Sequence, residues 1–122
     1  MEVLALSNNK LYGSIPKSLP NLANLAYLDI SSNDLTGIVD IDMFKKLKKL
    51  ETLDLHANLL HGKVPVLPSS MQNLFISNNR LSGEIPSMIC NITFLTILDI
   101  SNNSLSGTIP SCLGNFGNSL SE

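Results

Sequence analysis

The sequence predicts an α/β repeat solenoid, with a parallel β-sheet on the concave face and extended segments, short helices or 3-10 turns on the convex face. Three observations predict it. One apolar and asparagine pattern recurs five times within 122 residues, at the period typical of stacked repeats. Each copy contains the alternation expected of a short strand. Aromatic residues make up only 5% of the chain, without Trp, which suits a core of repeated Leu and Ile.

The ninth position of the repeat fixes the register. It holds an asparagine in every copy, at separations of 24, 25, 21 and 24 residues (33−9, 58−33, 79−58 and 103−79): Asn9, Asn33, Asn58, Asn79 and Asn103. Each unit reads LxxLxLxxNxL, starting at residues 1, 25, 50, 71 and 95, with a partial repeat from 120. This is the leucine-rich repeat pattern. We expect these asparagines to form a ladder that satisfies backbone groups left unpaired by the turn.

A second motif follows the asparagine in four copies and predicts the convex side. It reads LYGSIP at 11–16, LHGKVP at 60–65, LSGEIP at 81–86 and LSGTIP at 105–110. Gly permits a positive φ and Pro fixes φ and removes a donor, so we expect extended structure that leads into a short helix. The third repeat, with KVPVLPSS and three residues fewer than its neighbour, predicts an extended crossing without a helix.

The second repeat carries the chain's basic cluster in the run FKKLKKL at 44–50. One interpretation is a patch for a phosphate-bearing or acidic partner. The favoured one is a solvated helix face, because Met43, Phe44 and Leu47 recur at helical spacing with the lysines on the other side. A net charge of −2 argues against nucleic acid and anionic membranes as partners.

The two ends predict that the chain is a piece of a longer array. No basic segment with a long apolar run follows Met1, so no signal peptide is expected, and no stretch approaches the roughly 18 apolar residues of a membrane span. Solenoids need polar capping repeats, and the pattern contains none. We expect a single repeat array over residues 1–122 without caps, and no direct membrane contact by this fragment.

The LxGxIP element joined to LxxLxLxxN resembles the extracellular leucine-rich repeats of plants. DIDMFKKLKKLETLDL at 40–55, VPVLPSSMQNLFISNN at 64–79 and ICNITFLTILDISNNSLSGTIPSCLGN at 89–115 are similar to plant receptor-like proteins of the disease-resistance and elicitor-receptor kind. The resemblance implies a parent at the extracellular face of the plasma membrane. It implies recognition of a protein or peptide ligand in defence or developmental signalling, and a co-receptor kinase as partner of the parent.

The chemistry of two cysteines and of two asparagine sequons depends on whether the chain is secreted. Cys90 and Cys112 lie one repeat apart, at +7 and +5 from their repeat glycines. This offset permits a disulfide without requiring it, so pairing and two free thiols stay equal alternatives. Asn91-Ile92-Thr93 and Asn102-Asn103-Ser104 would be glycan acceptors on the secretory route; otherwise they are chance triplets of an Asn- and Ser-rich repeat.

Catalytic and metal chemistry find no support. His56 and His61 are isolated imidazoles without further ligands at metal spacing, and surface positions are favoured over metal or catalytic roles. No GxSxG, HExxH or phosphate-binding Gly-rich motif occurs. We therefore expect a protein that is not an enzyme and needs no cofactor.

The outward positions of the predicted sheet are the candidate ligand contacts. Exposed aromatic side chains on a rigid concave sheet are plausible anchors for a peptide or protein. Asp29, Asp54 and Asp99 have a structural role as the alternative, since Asp recurs there as part of the repeat. The full candidate set is Tyr27, Asp29, Thr52, Asp54, His56, Asn73, Phe75, Ile97 and Asp99.

Two other functions are alternatives to that of a receptor fragment. One is a soluble inhibitor similar to the plant inhibitors of pathogen polygalacturonases. The 21- and 25-residue units and the missing caps argue against it, because those arrays are capped and uniform. The other is a truncated gene product without a function of its own.

Overall fold

The computed structural model describes residues 2–113, which are built from very short strands and 3-10 helices. In chain order the strands are β1 (Glu2–Ala5), β2 (Tyr12–Gly13), β3 (Leu25–Asp29), β4 (Asp34–Leu35), β5 (Thr52–Asp54), β6 (His61–Lys63), β7 (Asn73–Phe75), β8 (Arg80–Gly83), β9 (Ile97–Asp99) and β10 (Ser104–Leu105). The 3-10 helices are η1 (Leu19–Asn21), η2 (Phe44–Lys46) and η3 (Ser87–Asn91).

The main sheet is parallel and contains one strand from each repeat, in the order β1-β3-β5-β7-β9. Its central leucines pair strand by strand: Leu4 with Leu28, Leu28 with Leu53, Leu53 with Leu74, and Leu74 with Leu98. The last four are fully buried, as the alternation in LxL predicts. The predicted fold is confirmed: the sheet keeps one register although the repeats differ in length.

A second layer of parallel strands follows the asparagines. β2 pairs with β4, and β6, β8 and β10 form a three-stranded sheet, with an isolated bridge from Ile38 to His61 between them. The sequence predicted extended structure here but not its pairing, because LxGxIP has no clean apolar alternation. Gly62, at φ +94°, shows why the motif needs glycine: a Cβ there would lie 2.8 Å from Cγ2 of Ile38.

The convex side varies from repeat to repeat. The helix predicted for the lysine run is the single 3-10 helix η2, and it buries Met43, Phe44 and Leu47 while its lysines stay exposed. The solvated-face interpretation therefore agrees with the burial pattern. The third repeat crosses from β6 to β7 without a helix, as the spacing of Pro65 and Pro68 predicted. Both prolines are buried.

The core is a stack of aliphatic side chains between the main sheet and the convex side, with Phe44 as its fully buried aromatic ring. Within residues 2–113, no buried side-chain nitrogen or oxygen lacks a hydrogen-bond partner. This matters because an unpaired buried polar group costs about 1–3 kcal/mol. The core therefore holds polar ladder residues without that cost.

Candidate functional site

The asparagine ladder connects each repeat to the one before it. The Asn58 amide nitrogen donates to the carbonyls of Leu55 (3.1 Å), His56 (3.4 Å) and Ile30 (3.0 Å). Its Oδ1 accepts from the Leu35 backbone N–H at 3.1 Å. Four of the ladder residues bond both within their repeat and to its predecessor: Asn33, Asn58, Asn79 and Asn103.

Among residues 2–113, Asn9 bonds only within its own repeat, to the carbonyls of Leu6 and Ser7, each at 3.0 Å. The residue before each ladder asparagine has a left-handed backbone, with φ between +53° and +58°: Asn8, Ser32, Ala57, Asn78 and Asn102. The repeat pattern did not predict this column. Three asparagines and a serine at equivalent positions are the signal that could have found it, because short polar side chains tolerate such a φ best.

The predicted contact residues lie together on the outward face of the main sheet. Tyr27 pairs with Thr52, Thr52 with Asn73, and Asn73 with Ile97, which makes one column across four strands. Val3 extends that column and is exposed. The second column contains Ala5, Asp29, Asp54, Phe75 and Asp99.

The aspartates of the second column cap the turns that end their strands. Oδ1 of Asp29 accepts from the backbone N–H of Ser31 at 3.0 Å and from its hydroxyl at 2.6 Å. Asp99 does the same with Ser101, at 3.2 Å and 2.8 Å. An Asp that bonds the backbone two residues ahead is a local turn device. These aspartates therefore have a structural role, whatever else their carboxylates contact.

The third repeat uses the same cap with a different partner. Oδ1 of Asp54 accepts from the backbone N–H of His56 at 3.1 Å, and Nδ1 of the imidazole lies 2.6 Å from the same oxygen. The imidazole is 38% exposed, whereas the Asp54 side chain is 16% exposed. His56 thus places a ring on the concave face at a position where Ser31 and Ser101 place a hydroxyl.

Three of the predicted contact residues are apolar or aromatic and take part in neither caps nor ladder. Tyr27 is exposed, and Phe75 and Ile97 are half-buried. By contrast, Asn73 donates from Nδ2 to Oγ1 of Thr52 at 3.0 Å, so these two polar residues are bonded to each other across the sheet. The face consequently combines fixed polar groups with apolar side chains that no structural bond requires.

The two cysteines form a disulfide, with Cα atoms 5.6 Å apart. It joins η3 to the convex side of the next repeat across a sequence separation of 22 residues. The offset of the two positions, which left pairing open in the sequence, is accommodated because Cys90 lies near the end of the five-residue η3. The bond fixes the turn that carries Asn91.

The two candidate glycan acceptors differ in surroundings. Asn91 and Thr93 are exposed, and within residues 2–113 the Asn91 side chain makes no hydrogen bond. Asn102 is also exposed, but its Nδ2 donates to Oδ1 of Asn78 at 2.8 Å. The nitrogen that would carry a glycan is thus unbonded in the first residue and engaged in the second.

The described residues offer no alternative chemical site. They contain no group of three or more His, Cys, Asp or Glu side chains arranged to hold a metal ion. His61 lies in β6, exposed on the second layer of strands and away from the main sheet. Over the same residues no helix is long and apolar enough to cross a membrane.

The stacked parallel strands and the asparagine ladder define a leucine-rich repeat protein. A family model described as Leucine Rich Repeat matches residues 1–22, 24–47, 70–92 and 94–116. The chain belongs to the leucine-rich repeat family. The matched segments leave out residues 48–69, which hold most of the shortened third repeat, although its strand β5 keeps the common register.

Sequence relatives are plant receptor-like proteins. Receptor-like protein 33 of Arabidopsis thaliana is 43% identical over 122 residues, which is the whole of this chain and 12% of that protein. Receptor-like protein 47 of the same plant is 42% identical over 100 residues, or 80% of this chain and 12% of that protein. The chain thus spans about an eighth of the length of these relatives.

Solved structures give the same class. The BIR3–SERK2 complex from Arabidopsis thaliana matches with a TM-score of 0.89 and 39% identity, over 98% of this chain and 69% of that one. The Arabidopsis receptor kinase HAESA, in complex with the peptide hormone IDA and the co-receptor SERK1, matches with a TM-score of 0.87 and 34% identity, over 97% and 20%. The plant peptide hormone receptor RGFR1 in complex with RGF2 matches at 0.85 and 40%, over 97% and 19%.

Proposed function

We propose that this chain is part of the extracellular region of a plant receptor-like protein and that its concave sheet binds a peptide or protein ligand. The observation that carries the proposal is a contrast between the polar and the apolar side chains of that face. Asp29, Asp54 and Asp99 cap turns and Thr52 and Asn73 bond each other, whereas Tyr27, Phe75 and Ile97 take part in none of these bonds within residues 2–113. Apolar and aromatic side chains held on a rigid frame are typical anchors of interfaces.

Rigidity supports the same conclusion. Each strand of the main sheet pairs with its neighbours, ladder asparagines link the repeats, and aspartates cap the turns after β3, β5 and β9. A preorganised surface binds more tightly because little conformational entropy is lost on association. HAESA and RGFR1, whose repeats resemble this chain, were solved in complex with peptide hormones, which favours a peptide as the ligand.

The proposed role is recognition rather than catalysis, with a co-receptor kinase as the partner of the parent. The structure of HAESA includes the co-receptor SERK1, and receptor-like proteins are the sequence relatives. On the same kinship we propose signalling in defence or development and a parent anchored in the plasma membrane with its repeats outside the cell. No cofactor is required for binding of this kind.

The proposal is tested by selecting a phage-displayed library of random peptides on the immobilised, disulfide-bonded chain. Enriched peptides are then measured against a variant with Tyr27→Ser and Phe75→Asp, which places at 75 the residue found at 29, 54 and 99. A matched variant, Tyr12→Ser with Phe94→Ser, removes aromatic rings that are 85% and 66% exposed outside the main sheet.

We expect the first variant to lose binding by at least about tenfold, since two interface anchors contribute more than roughly 1.4 kcal/mol together. The matched variant should bind as the wild type does. Failure to enrich any peptide, or equal losses in both variants, would contradict recognition by the concave sheet.

We further propose Asn91 as the glycan acceptor of the secreted protein, with Asn102 left unmodified. Asn91 is exposed on η3 and its amide is unbonded within the described residues, while glycosylation at Asn102 must accommodate the bond to Asn78. Glycopeptide mass spectrometry, on total protein from plant cells expressing the chain behind a cleavable secretion signal, should find sugar on the Asn91 peptide. Sugar on Asn102 alone would refute the assignment.

A further inference from the structure

The Asp54–His56 pair lies at the end of β5, the middle strand of the main sheet. It differs from the equivalent caps of other repeats. In the second and fifth repeats, Oδ1 of the aspartate accepts from a serine hydroxyl at 2.6 Å and 2.8 Å. In the third repeat the same position is filled by Nδ1 of His56, also at 2.6 Å. The cap is conserved in geometry, and only the chemical identity of the donor changes.

This geometry determines which ring nitrogen carries the proton. An ionised carboxylate has only acceptors, so the Nδ1 atom facing it must be the donor. The second bond to the same oxygen, from the His56 backbone N–H at 3.1 Å, fixes the carboxylate in place. A neutral imidazole that contacts an ionised carboxylate through Nδ1 is the Nδ1–H tautomer, as when a neighbouring carboxylate orients an imidazole.

The consequence lies at the other nitrogen. Nε2 is on the far side of the ring from Asp54, and within residues 2–113 it has no hydrogen-bond partner. In the Nδ1–H tautomer Nε2 is an acceptor at the outer end of the ring, whereas the acceptor of a serine in this position is its hydroxyl oxygen, one bond from Cβ. Phe75 pairs with Asp54 on the next strand, so the aspartate that holds His56 is adjacent to one of the proposed apolar anchors.

We propose that His56 is a specificity-determining residue of the concave face, held by Asp54 as the Nδ1–H tautomer so that Nε2 accepts a hydrogen bond from the ligand. The ligand group is a neutral or cationic donor, such as a hydroxyl, an amide N–H or an amine. Asp54 acts as a positioning residue. This inference rests on the proposed function, because it assigns chemistry to one position of the same binding surface.

The tautomer is measured first, without any ligand. Long-range nitrogen–proton NMR spectra, recorded at a pH above the range in which imidazoles titrate, should show the proton on Nδ1 of His56. The Asp54→Ala variant, which matches the natural Ala5 of the first repeat, should lose this preference. His61, an imidazole without a hydrogen-bonded side chain within residues 2–113, serves as the internal reference. A proton on Nε2 of His56 in the wild type would overturn the inference.

The ligand contact is measured with a peptide enriched from the random library on the wild-type chain. The His56→Ser variant restores the cap of Ser31 and Ser101, so it keeps the fold and replaces the ring acceptor by a hydroxyl oxygen close to the backbone. We expect it to weaken binding by roughly three- to tenfold, the effect of losing one hydrogen bond. His61→Ser is the matched control and should leave binding unchanged.

The outcomes separate the two proposals. Full binding by the His56→Ser variant, together with loss in the Tyr27→Ser and Phe75→Asp variant, would overturn the role of His56 and leave the recognition surface standing. Failure of the wild type to enrich any peptide would contradict the surface itself and the ligand contact with it.

Discussion

The third and fourth repeats have the same strands but different convex sides. The third, residues 50–70, crosses back without a helix, and the fourth, residues 71–94, uses the five-residue η3. Even so, β5 and β7 pair in register residue by residue, from Thr52 with Asn73 to Asp54 with Phe75. The strand leucines and the ladder therefore set the register of the concave face, while the difference in repeat length is confined to the convex side.

Phe44 tests how far the convex side supports the whole array. This ring is fully buried under η2, and its replacement by alanine leaves a cavity that the short 3-10 turn has little means to fill. We expect Phe44→Ala to lower the free energy of unfolding by about 4 kcal/mol, measured by urea denaturation. The matched variant Phe94→Ala removes a ring that is 66% exposed and should cost less than about 1 kcal/mol. Equal losses would mean that the burial under η2 contributes nothing to stability.

Asn58 tests the other half of the comparison, the link between successive strands. Asn58→Ala removes a buried amide and leaves the Leu35 N–H without its partner, whereas the carbonyls of Ile30 and Leu55 keep their bonds from Asn33 and Asn79. The expected loss is about 3 kcal/mol, since an unsatisfied buried group costs roughly 1–3 kcal/mol and the bonds lost from the carbonyls add to it.

Asn9→Ala is the control for Asn58→Ala, because Asn9 holds the same ladder position but is exposed and bonds only Leu6 and Ser7. We expect this variant to lose less than about 1 kcal/mol in the same urea measurement. Similar losses for both variants would show that the bonds between repeats add nothing to the local turn.

Ala57 offers a small gain in the same region. It has φ +58°, while three equivalent positions with φ between +53° and +56° are asparagine. Ala57→Asn should raise the free energy of unfolding by about 0.5–1 kcal/mol, because alanine is strained in a left-handed backbone that asparagine tolerates. A higher thermal midpoint is the expected observation, and a lower one would show that the Ala57 methyl group makes packing contacts that outweigh the strain.

The repeat pattern was enough to predict the main sheet, its inward leucines and the candidate contact residues of the outward face, because a period of two assigns each side chain to a face. It did not predict the second layer of strands, since segments such as YG at 12–13 and HGK at 61–63 carry no alternation. It also left the pairing of Cys90 with Cys112 open. Whether cysteines at +7 and +5 come within reach of each other depends on the local structure, here the five-residue η3.

The chemistry of the concave face was predicted only in outline. The sequence marked Asp29, Asp54 and Asp99 as either contacts or structural residues, and the caps give all three a structural role. It marked His56 as an outward residue, but its hydrogen bond to Asp54 depends on side-chain geometry that no periodicity encodes. Binding by the nine candidate residues stays a prediction.

We expect the outward face of the main sheet to recognise a ligand, while the convex side contains the variation in repeat length. This expectation is tested most directly by amide NMR shifts of the chain on addition of a peptide enriched on the wild type. We expect the largest shifts in β5 and the turn after it, from Thr52 to His56, and in β7, from Asn73 to Phe75. Shifts concentrated in β6 and β8, or in the 3-10 helices, would contradict it.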